Sequence, residues 1–277
     1  MAPHSNVKNY KLLRLHSGNR GTTSPSALKS CWHDVKGLRI HSRSAKVAGG
    51  IPFVLIHGLI ISSLYMIPLA ERLAVRHEVH ALDLPGFGRS ESPSRVLSIS
   101  QLADAVVDWL AASEIRRCYL VANSLGCEVA AHVALKAPSE VVSLVLIGPT
   151  LDPNAHAFLT QTFRLFWDAL HEPVRLWFNW AVDFFRAGLR RALGTTREMF
   201  RDHIEHQLPK IVVPALIMRG GIDPTCPQVA AEEMVRLLRG SQLLVIESEP
   251  HCVHYTAPSV VGDAIEGFVA LLQTKGA

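Results

Sequence analysis

The chain has few of the features that mark secreted, metal-binding or membrane-spanning proteins. Its five cysteines are odd in number and form no C-x-x-C pair, which argues against a disulfide framework or a zinc site. No segment approaches the roughly 18 to 20 consecutive apolar residues of a membrane helix. The basic start also lacks the apolar run and cleavage site of a secretory signal. We therefore expect a cytoplasmic protein with no metal, no cofactor and no membrane partner.

Charge is sparse, at 19% of residues, and unevenly placed. Residues 1–46 contain nine Lys or Arg and a single acid, Asp34, whereas the rest of the chain is net acidic. A basic extension before an acidic body is not the continuous basic face that phosphate backbones require. We expect residues 1–30 to be a flexible leader, and we expect no nucleic-acid partner.

What is present is a repeated alternation of short apolar runs with helical segments. The runs IPFVLIHG, EVHALDL, RCYLVAN, VVSLVLIG, PALIMRG and QLLVIES are typical of strands buried on both faces. The alternation predicts an α/β fold, with a mostly parallel sheet covered by helices on both sides. A hairpin around Lys36 and Gly37 is expected to open it, and Ser98 with Gln101 has the spacing of a helix capping box.

Residues 151–209 interrupt this alternation, because they contain aromatic residues at helical spacing and no buried-strand pattern. We predict a helical insertion there, between core segments 31–150 and 210–277. Most of its aromatic side chains are expected to pack as core. A minority are expected to line an apolar substrate pocket between insertion and sheet, and the candidates are Phe158, Phe163, Trp167 and Trp177.

The segment VANSLGC places Ser124 between a predicted strand and a predicted helix. A sharp turn of the form G-x-S-x-G exposes a nucleophilic serine, and Ala122 and Gly126 hold its two small positions here. Alanine departs from the usual glycine. A turn serine that merely caps the following helix is the alternative interpretation.

Candidate partners for Ser124 follow other predicted strands, since ligands bind at the carboxyl ends of parallel strands. A serine needs an imidazole to take its proton, and a carboxylate to fix that imidazole. His251 and Asp223 are the predicted base and acid. His254 and Asp152 are the alternatives for these two roles.

Two backbone amides are expected to stabilise the developing oxyanion. Leu125 begins the helix after Ser124, and Leu59 lies in the loop after His57. His203 and His206 could be taken for zinc ligands, but no third ligand follows at a recognisable spacing. We therefore predict that they lie on a solvated helix face.

Five motifs occur together in one order: HG at 57–58, DLPGFGRS at 83–90, NSLG at 123–126, G-x-x-D-P-x-x-P at 220–227 and H-x-x-x-x-x-x-P at 251–258. In these motifs the chain resembles serine hydrolases of the α/β-hydrolase fold over about residues 50–273. The resemblance implies an eight-stranded sheet, a helical cap after the sixth strand, and hydrolysis through an acyl-enzyme.

Within that family, a serine at position 124 argues against the dehalogenases and epoxide hydrolases, which use aspartate there. The expected function is a carboxylesterase acting on a small-molecule ester with a small to medium apolar acyl chain. A carbon-carbon bond hydrolase of ring-cleavage products, a lactonase and a non-catalytic ligand receptor are the alternatives. Association as a homodimer is left open.

Overall fold

The computed structural model describes residues 12–16, 28–150 and 172–275, and a nine-stranded sheet lies at the centre of this described part. The strands are β1 Leu12–His16, β2 Lys29–Val35, β3 Leu38–Ala45, β4 Phe53–Ile56, β5 Val79–Leu82, β6 Cys118–Asn123, β7 Val141–Ile147, β8 Ala215–Gly220 and β9 Gln242–Glu247. Their spatial order is β1-β9-β8-β7-β6-β4-β5-β3-β2. The pairs β2·β3 and β3·β5 are antiparallel and the other pairs are parallel, as the alternating sequence predicts.

In the described part of the chain, helices connect consecutive parallel strands and two more helices follow β9. They are α1 Ile67–Ala74, α2 Ile99–Ala112, α3 Leu125–Lys136, α4 Val174–Ala187, α5 Leu189–Arg201, α6 Gln228–Leu237, α7 Val253–Thr256 and α8 Pro258–Lys275. Short 3-10 turns occupy Ser63–Met66, Ile204–His206 and Leu208–Lys210. In the described ranges, no helix is both long and apolar enough to cross a membrane.

The sheet is buried on both faces, because alternate residues of its strands enter two different cores. In β4, Val54 and Ile56 pack into the core formed with α2, α3 and α6. Phe53 and Leu55 point the other way, into the core formed with α1 and α8. Such two-sided burial explains why the parallel strands are continuous apolar runs.

Local signals in the sequence are confirmed at two places. Lys36 and Gly37 both adopt positive φ, at 51° and 82°, as a tight two-residue hairpin turn between β2 and β3 requires. The Ser98 side chain accepts a hydrogen bond from the Gln101 backbone N–H, and the Gln101 side chain accepts one from the Ser98 backbone N–H, which forms the predicted capping box at the start of α2.

The sheet has one strand more than the eight that the resemblance implies. The additional strand is β1, which pairs in parallel with β9 and lies in the segment 1–30 expected to be a flexible leader. That expectation is wrong for Leu12–His16. An edge strand leaves unpaired backbone groups that another strand can satisfy, and β1 satisfies those of β9. Arg14 Nη1 reinforces the pairing by donating to Glu247 Oε1 at 2.6 Å.

Residues 172–210, which include the described part of the insertion, contain α4, α5 and two 3-10 turns between β7 and β8. Its aromatic side chains are less buried than the sequence suggested. The exposed fractions of Trp177, Phe178, Trp180 and Phe185 are 47%, 71%, 47% and 82%. The expectation of core packing is therefore wrong for Phe178, Trp180 and Phe185, because α4 turns only Leu176 and Asp183 fully inward.

Candidate active site

Ser124 occupies a strained turn between β6 and α3. Its backbone has φ +56° and ψ −130°, a region that non-glycine residues rarely adopt and that is found at functional turns. The Ser124 backbone N–H donates to Ile147 O at 3.0 Å, which fixes the turn to the end of β7. Within the described residues its side chain makes no capping hydrogen bond to α3, so the interpretation of Ser124 as a helix cap is wrong.

The small residues around Ser124 allow α3 to approach β4. A Cβ built on Gly126 would lie 2.6 Å from His57 O and 2.7 Å from Ile56 O, so glycine is required there. Ala122 is fully buried within β6, and its methyl group is accommodated in the core. The departure from glycine at this position is therefore compatible with the turn.

Asp223 and His251 form a buried hydrogen-bonded pair. Nδ1 of His251 lies 2.8 Å from Asp223 Oδ2, and the two residues follow β8 and β9 respectively. The other carboxylate oxygen, Oδ1, accepts from Thr225 N, Thr225 Oγ1 and Cys226 N at 2.8, 2.7 and 3.0 Å. The structure thus brings together the predicted acid and base, which lie 28 positions apart in the sequence.

These contacts keep the Asp223 carboxyl ionised. Burial alone raises its pKa, but the adjacent His251 and the hydrogen bonds from Thr225 and Cys226 outweigh burial and lower the pKa below its ordinary value. An ionised carboxylate only accepts hydrogen bonds, so His251 carries a proton on Nδ1. In the neutral imidazole this leaves a lone pair on Nε2.

Gly148, at the end of β7, joins the serine turn to this pair. A Cβ built on Gly148 would lie 2.8 Å from His251 Nδ1 and 3.2 Å from Asp223 Oδ2. The preceding residue, Ile147, holds the Ser124 backbone. One glycine therefore lets the imidazole pack directly against the strand end to which Ser124 is bonded.

The loop after β4 lies against the same turn. A Cβ built on Gly58 would be 3.0 Å from Ser124 Cβ, so Leu59 follows a residue in close contact with the serine. His57 Nε2 accepts from Leu84 N at 2.9 Å, which places the ring proton on Nδ1, where it donates to Gly58 O at 2.8 Å. His57 is thus a structural residue that shapes the loop.

Leu125, the other predicted amide donor, is the first residue of α3, where backbone N–H groups lack partners within the helix.

The alternative base, His254, does not bind the carboxylate. Its ring is fully buried, lies edge-on to Tyr65 at 4.6 Å between centroids, and has neither nitrogen in a hydrogen bond within the described residues. Burial, with repulsion from His251, lowers its pKa to about 3. The alternative acid, Asp152, lies outside the described residues.

Of the predicted pocket residues, Phe158, Phe163 and Trp167 also lie outside the described residues. Trp177 is on α4 and about half exposed, and its contact with a substrate stays a prediction. The insertion does reach the candidate site at one point, since Glu172 Oε1 accepts from the backbone N–H of Cys252, the residue after His251, at 2.7 Å.

Sequence reasoning missed three residues that hold this arrangement. The Tyr65 hydroxyl is hydrogen-bonded to Gly58 in the loop after β4 and to Asn123 at the end of β6, and Thr225 Oγ1 lies 2.6 Å from His251 Nδ1. Arg219 is buried and donates to the carbonyls of Cys226 and Asp223 at 2.7 and 3.1 Å, which fixes the loop that carries the acid. Thr225 was accessible from the sequence as a hydroxyl residue two positions after Asp223, whereas Tyr65 and Arg219 carry no local signal.

Comparison with known proteins gives consistent results. A family model described as "Alpha/beta hydrolase family" matches residues 53–264. The chain is 33% identical over 139 residues to abhydrolase domain-containing protein abhd-5.2 of Caenorhabditis elegans, a match that covers 47% of this chain and 31% of that protein. It therefore spans only about a third of that relative's length.

Other similar proteins match over nearly their whole length. The pimeloyl-[acyl-carrier protein] methyl ester esterase of Aeromonas hydrophila is 26% identical over 250 residues, covering 79% of this chain and 96% of the esterase. The structure of a thermophilic esterase from Thermogutta terrifontis superposes with a TM-score of 0.74 at 19% identity, over 88% of this chain and 99% of that one. With the family model matching most of its length and the sheet arranged as described, the chain belongs to the alpha/beta hydrolase family.

Proposed function

We propose that the protein is a serine hydrolase that cleaves carboxylic esters of small to medium apolar acyl chains. Ser124 is the nucleophile, His251 the general base and Asp223 the acid that orients it. The observation that carries the proposal is the buried Asp223–His251 pair, packed against the strand end that holds the Ser124 turn.

The proton pathway follows from the hydrogen bonds. Asp223 fixes the proton of His251 on Nδ1, so Nε2 is the atom that takes the Ser124 hydroxyl proton. Ser124 Oγ then bonds to the ester carbonyl carbon, and the proton on Nε2 passes to the departing alkoxide as the ester C–O bond breaks. Water repeats the sequence, with His251 again as base, and releases the acid.

Two amides serve the oxyanion. The N–H of Leu125 points from the start of α3, where the helix dipole also favours negative charge. The N–H of Leu59 is the second donor, since its loop lies against Ser124. The resemblance in sequence to a methyl ester esterase over 96% of its length supports an ester as the substrate class.

The test is turnover and labelling of the purified protein. We expect hydrolysis of p-nitrophenyl butyrate and a fluorophosphonate adduct on Ser124. Ser124→Ala should lower kcat by about 10⁴ to 10⁶, because nucleophile and base act as one unit. Ser139→Ala is the matched control. Ser139 is exposed just before β7, at the amino ends of the parallel strands and away from Ser124, so this variant should keep wild-type activity. A folded sample that neither turns over the ester nor reacts at Ser124 excludes the proposal.

The same assay separates the two candidate acids. Asp223→Asn should lower kcat by about 10⁴, because the amide favours the wrong histidine tautomer. Asp152→Asn should have little effect. The reverse result would identify Asp152, and not Asp223, as the carboxylate that orients His251.

A further inference from the structure

A second chain of serine, imidazole and carboxylate lies outside the candidate active site. Ser30 Oγ on β2 is 3.1 Å from His41 Nε2 on β3, and His41 Nδ1 is 2.7 Å from Asp83 Oδ2, just after β5. Strand β2 is four positions from β6 in the sheet order, a separation of about 19 Å at the usual strand spacing. The two groups of residues are therefore distinct.

The carboxylate of Asp83 sets the tautomer of His41. It accepts from Ser63 N and Arg89 N at 2.7 and 2.9 Å, in addition to His41. Burial raises its pKa, but these bonds and the nearby His57 outweigh burial and lower the pKa to about 2. An ionised Asp83 only accepts, so the imidazole donates from Nδ1 and the neutral ring presents a lone pair at Nε2.

Arg89 sets the direction of the remaining bond. Its guanidinium Nη1 donates to Ser30 Oγ at 2.9 Å, and an arginine side chain never accepts. The hydroxyl proton of Ser30 is therefore free to point at His41 Nε2. Each hydrogen bond in the chain then runs in the direction that proton transfer from the serine requires, from Ser30 to His41 and from His41 to Asp83.

Burial is distributed as a reactive serine requires. His41 and Asp83 are fully buried, so bulk water does not compete for their hydrogen bonds, whereas Ser30 is exposed to reagents. Trp32 stands beside the serine, with its ring 4.8 Å from the His41 ring, 40% exposed, and 5.1 Å from the Arg89 guanidinium. An exposed indole and a cation thus flank the hydroxyl.

The His41 ring is not needed to hold β3 against the loop after β5. Two hydrogen bonds of the His41 backbone already join β3 to the loop after β5, from Asp83 N to His41 O at 3.0 Å and from His41 N to Ser90 Oγ at 2.8 Å. Neither bond needs the imidazole. Asp83 also accepts from the backbone N–H groups of Ser63 and Arg89, which hold its carboxylate without the ring.

We propose that Ser30 is a second reactive serine, activated by His41 and Asp83, which accepts an acyl group from activated carboxylic esters, aryl esters above all. Ser30 Oγ bonds to the carbonyl carbon while its proton passes to His41 Nε2. The aryl oxide leaves as the ester C–O bond breaks and takes that proton. Arg89 stabilises the carbonyl oxyanion, and Trp32 packs against the aryl group.

The test uses the full chain in a Ser124→Ala background, so that its result does not depend on the ester hydrolase activity. The protein is treated with a fluorophosphonate and with p-nitrophenyl acetate, and adducts are located by peptide mass spectrometry. We expect phosphonyl and acetyl adducts on Ser30, formed at least about tenfold faster than on the exposed Ser139. The double variant Ser30→Ala/Ser124→Ala should lose them, and Ser139→Ala/Ser124→Ala should keep them.

A substitution at an exposed position tests the proposal without disturbing the buried His41–Asp83 pair. Arg89→Met removes the guanidinium donor from an exposed position and should slow acylation of Ser30 about tenfold, with partial recovery in Arg89→Lys. A folded Ser124→Ala protein without a Ser30 adduct overturns the proposal. So does an adduct that forms equally fast in Arg89→Met.

Discussion

At the scale of single residues, Tyr65 joins the loop after β4 to the end of β6, next to Ser124. Its hydroxyl accepts from Gly58 N at 2.6 Å and donates to Asn123 Oδ1 at 2.7 Å, while Asn123 Nδ2 donates to Ile147 O at 3.0 Å. Burial raises the pKa of Tyr65 well above its ordinary value, so the phenol keeps the proton that it donates. Tyr65 is therefore a positioning residue for Leu59 and Ser124, the neighbours of its two partners.

Replacement of Tyr65 by phenylalanine tests this role. Tyr65→Phe leaves a buried N–H and a buried amide oxygen without partners, at a cost of about 1–3 kcal/mol in stability. Loss of alignment should lower kcat for ester hydrolysis by about 10- to 100-fold, with KM changed less than about 2-fold. Steady-state kinetics on p-nitrophenyl butyrate provide the measurement.

Tyr119→Phe is the matched control for this substitution. Tyr119 is also buried in the sheet, but its hydroxyl accepts from Gln273 and contacts neither loop of the candidate site. Its kcat should equal that of wild type. Equal losses in the two variants would show that Tyr65 acts through general stability alone.

Residues with proposed chemical roles were more predictable than residues with proposed positioning roles. Ser124, Asp223 and His251 each follow a buried strand within a motif, so the sequence places them at one edge of the sheet before any contact is known. Tyr65 meets Asn123 across 58 positions, and only the packing of α1 and its preceding turn against the sheet creates that contact. Ser30 and His41 likewise meet only because the hairpin turn sets their register.

At the scale of secondary-structure elements, α5 packs against the loop that precedes α2. A Cβ built on Gly194 would lie 2.7 Å from Val96 Cγ2, and Arg191 Nη2 donates to Pro93 O at 2.8 Å. The glycine allows this close approach. Helix propensity favours alanine over glycine by about 1 kcal/mol, so packing and propensity oppose each other at this position.

A double-mutant cycle measures this opposition. Gly194→Ala should destabilise the wild-type protein, because overpacking costs about 1–3 kcal/mol and exceeds the gain in propensity. In a Val96→Ala background both Cγ atoms are gone and only the Cβ remains, at 3.3 Å, so the same change should cost less or stabilise, by up to about 1 kcal/mol. Urea unfolding of the four proteins gives the coupling energy.

Gly267→Ala is the control for propensity. Gly267 lies in α8 with no atom within 4 Å of a built Cβ, so alanine should stabilise there by up to about 1 kcal/mol. If Gly194→Ala has the same effect in both Val96 backgrounds, the close approach of α5 to the loop does not limit stability.

The insertion shows which properties of an element the sequence can supply. The predicted helices occur in the described part of the insertion, residues 172–209, because periodicity is a property of the element itself. The exposure of Trp177, Phe178 and Phe185 was not predictable, because it depends on which surface the helix packs against. The polar Asp183 lies fully inward, against the same simple expectation.

At the scale of the whole molecule, the order of strands and helices was the most predictable feature. Buried parallel strands need unbroken apolar sequence, so their positions stand out along the chain. Strand β1 did not stand out, since LLRLH is short, polar in part, and pairs with β9 more than 200 positions away. Its place depends on the unpaired edge of β9, which exists only once the sheet has formed.

A buried carboxyl in α3 should make the stability of the whole fold depend on pH. Glu128 is 3% exposed and its Oε1 accepts from Thr150 Oγ1 at 3.1 Å. Burial, together with repulsion from Asp202 and Glu205, raises its pKa well above 4.5 despite that hydrogen bond. Its protonated form is therefore the one that the fold favours.

The sign of the effect follows from the raised pKa. Above about pH 4.5 the unfolded chain has released the Glu128 proton that the folded chain still holds. The stability contribution is complete below that pH, and it is lost as pH rises towards the folded pKa, by about 1.4 kcal/mol per pH unit.

Glu128→Gln mimics the protonated acid and cannot ionise, so it should remove this loss. We expect its Tm to match wild type near pH 4 and to exceed it increasingly towards pH 8, by about 2–4 °C for each kcal/mol. Glu114→Gln, at an exposed position, should retain the wild-type profile. Parallel melting curves of Glu128→Gln and wild type across this range would show instead that water or a rearranged α3 solvates the ionised carboxylate in the folded state.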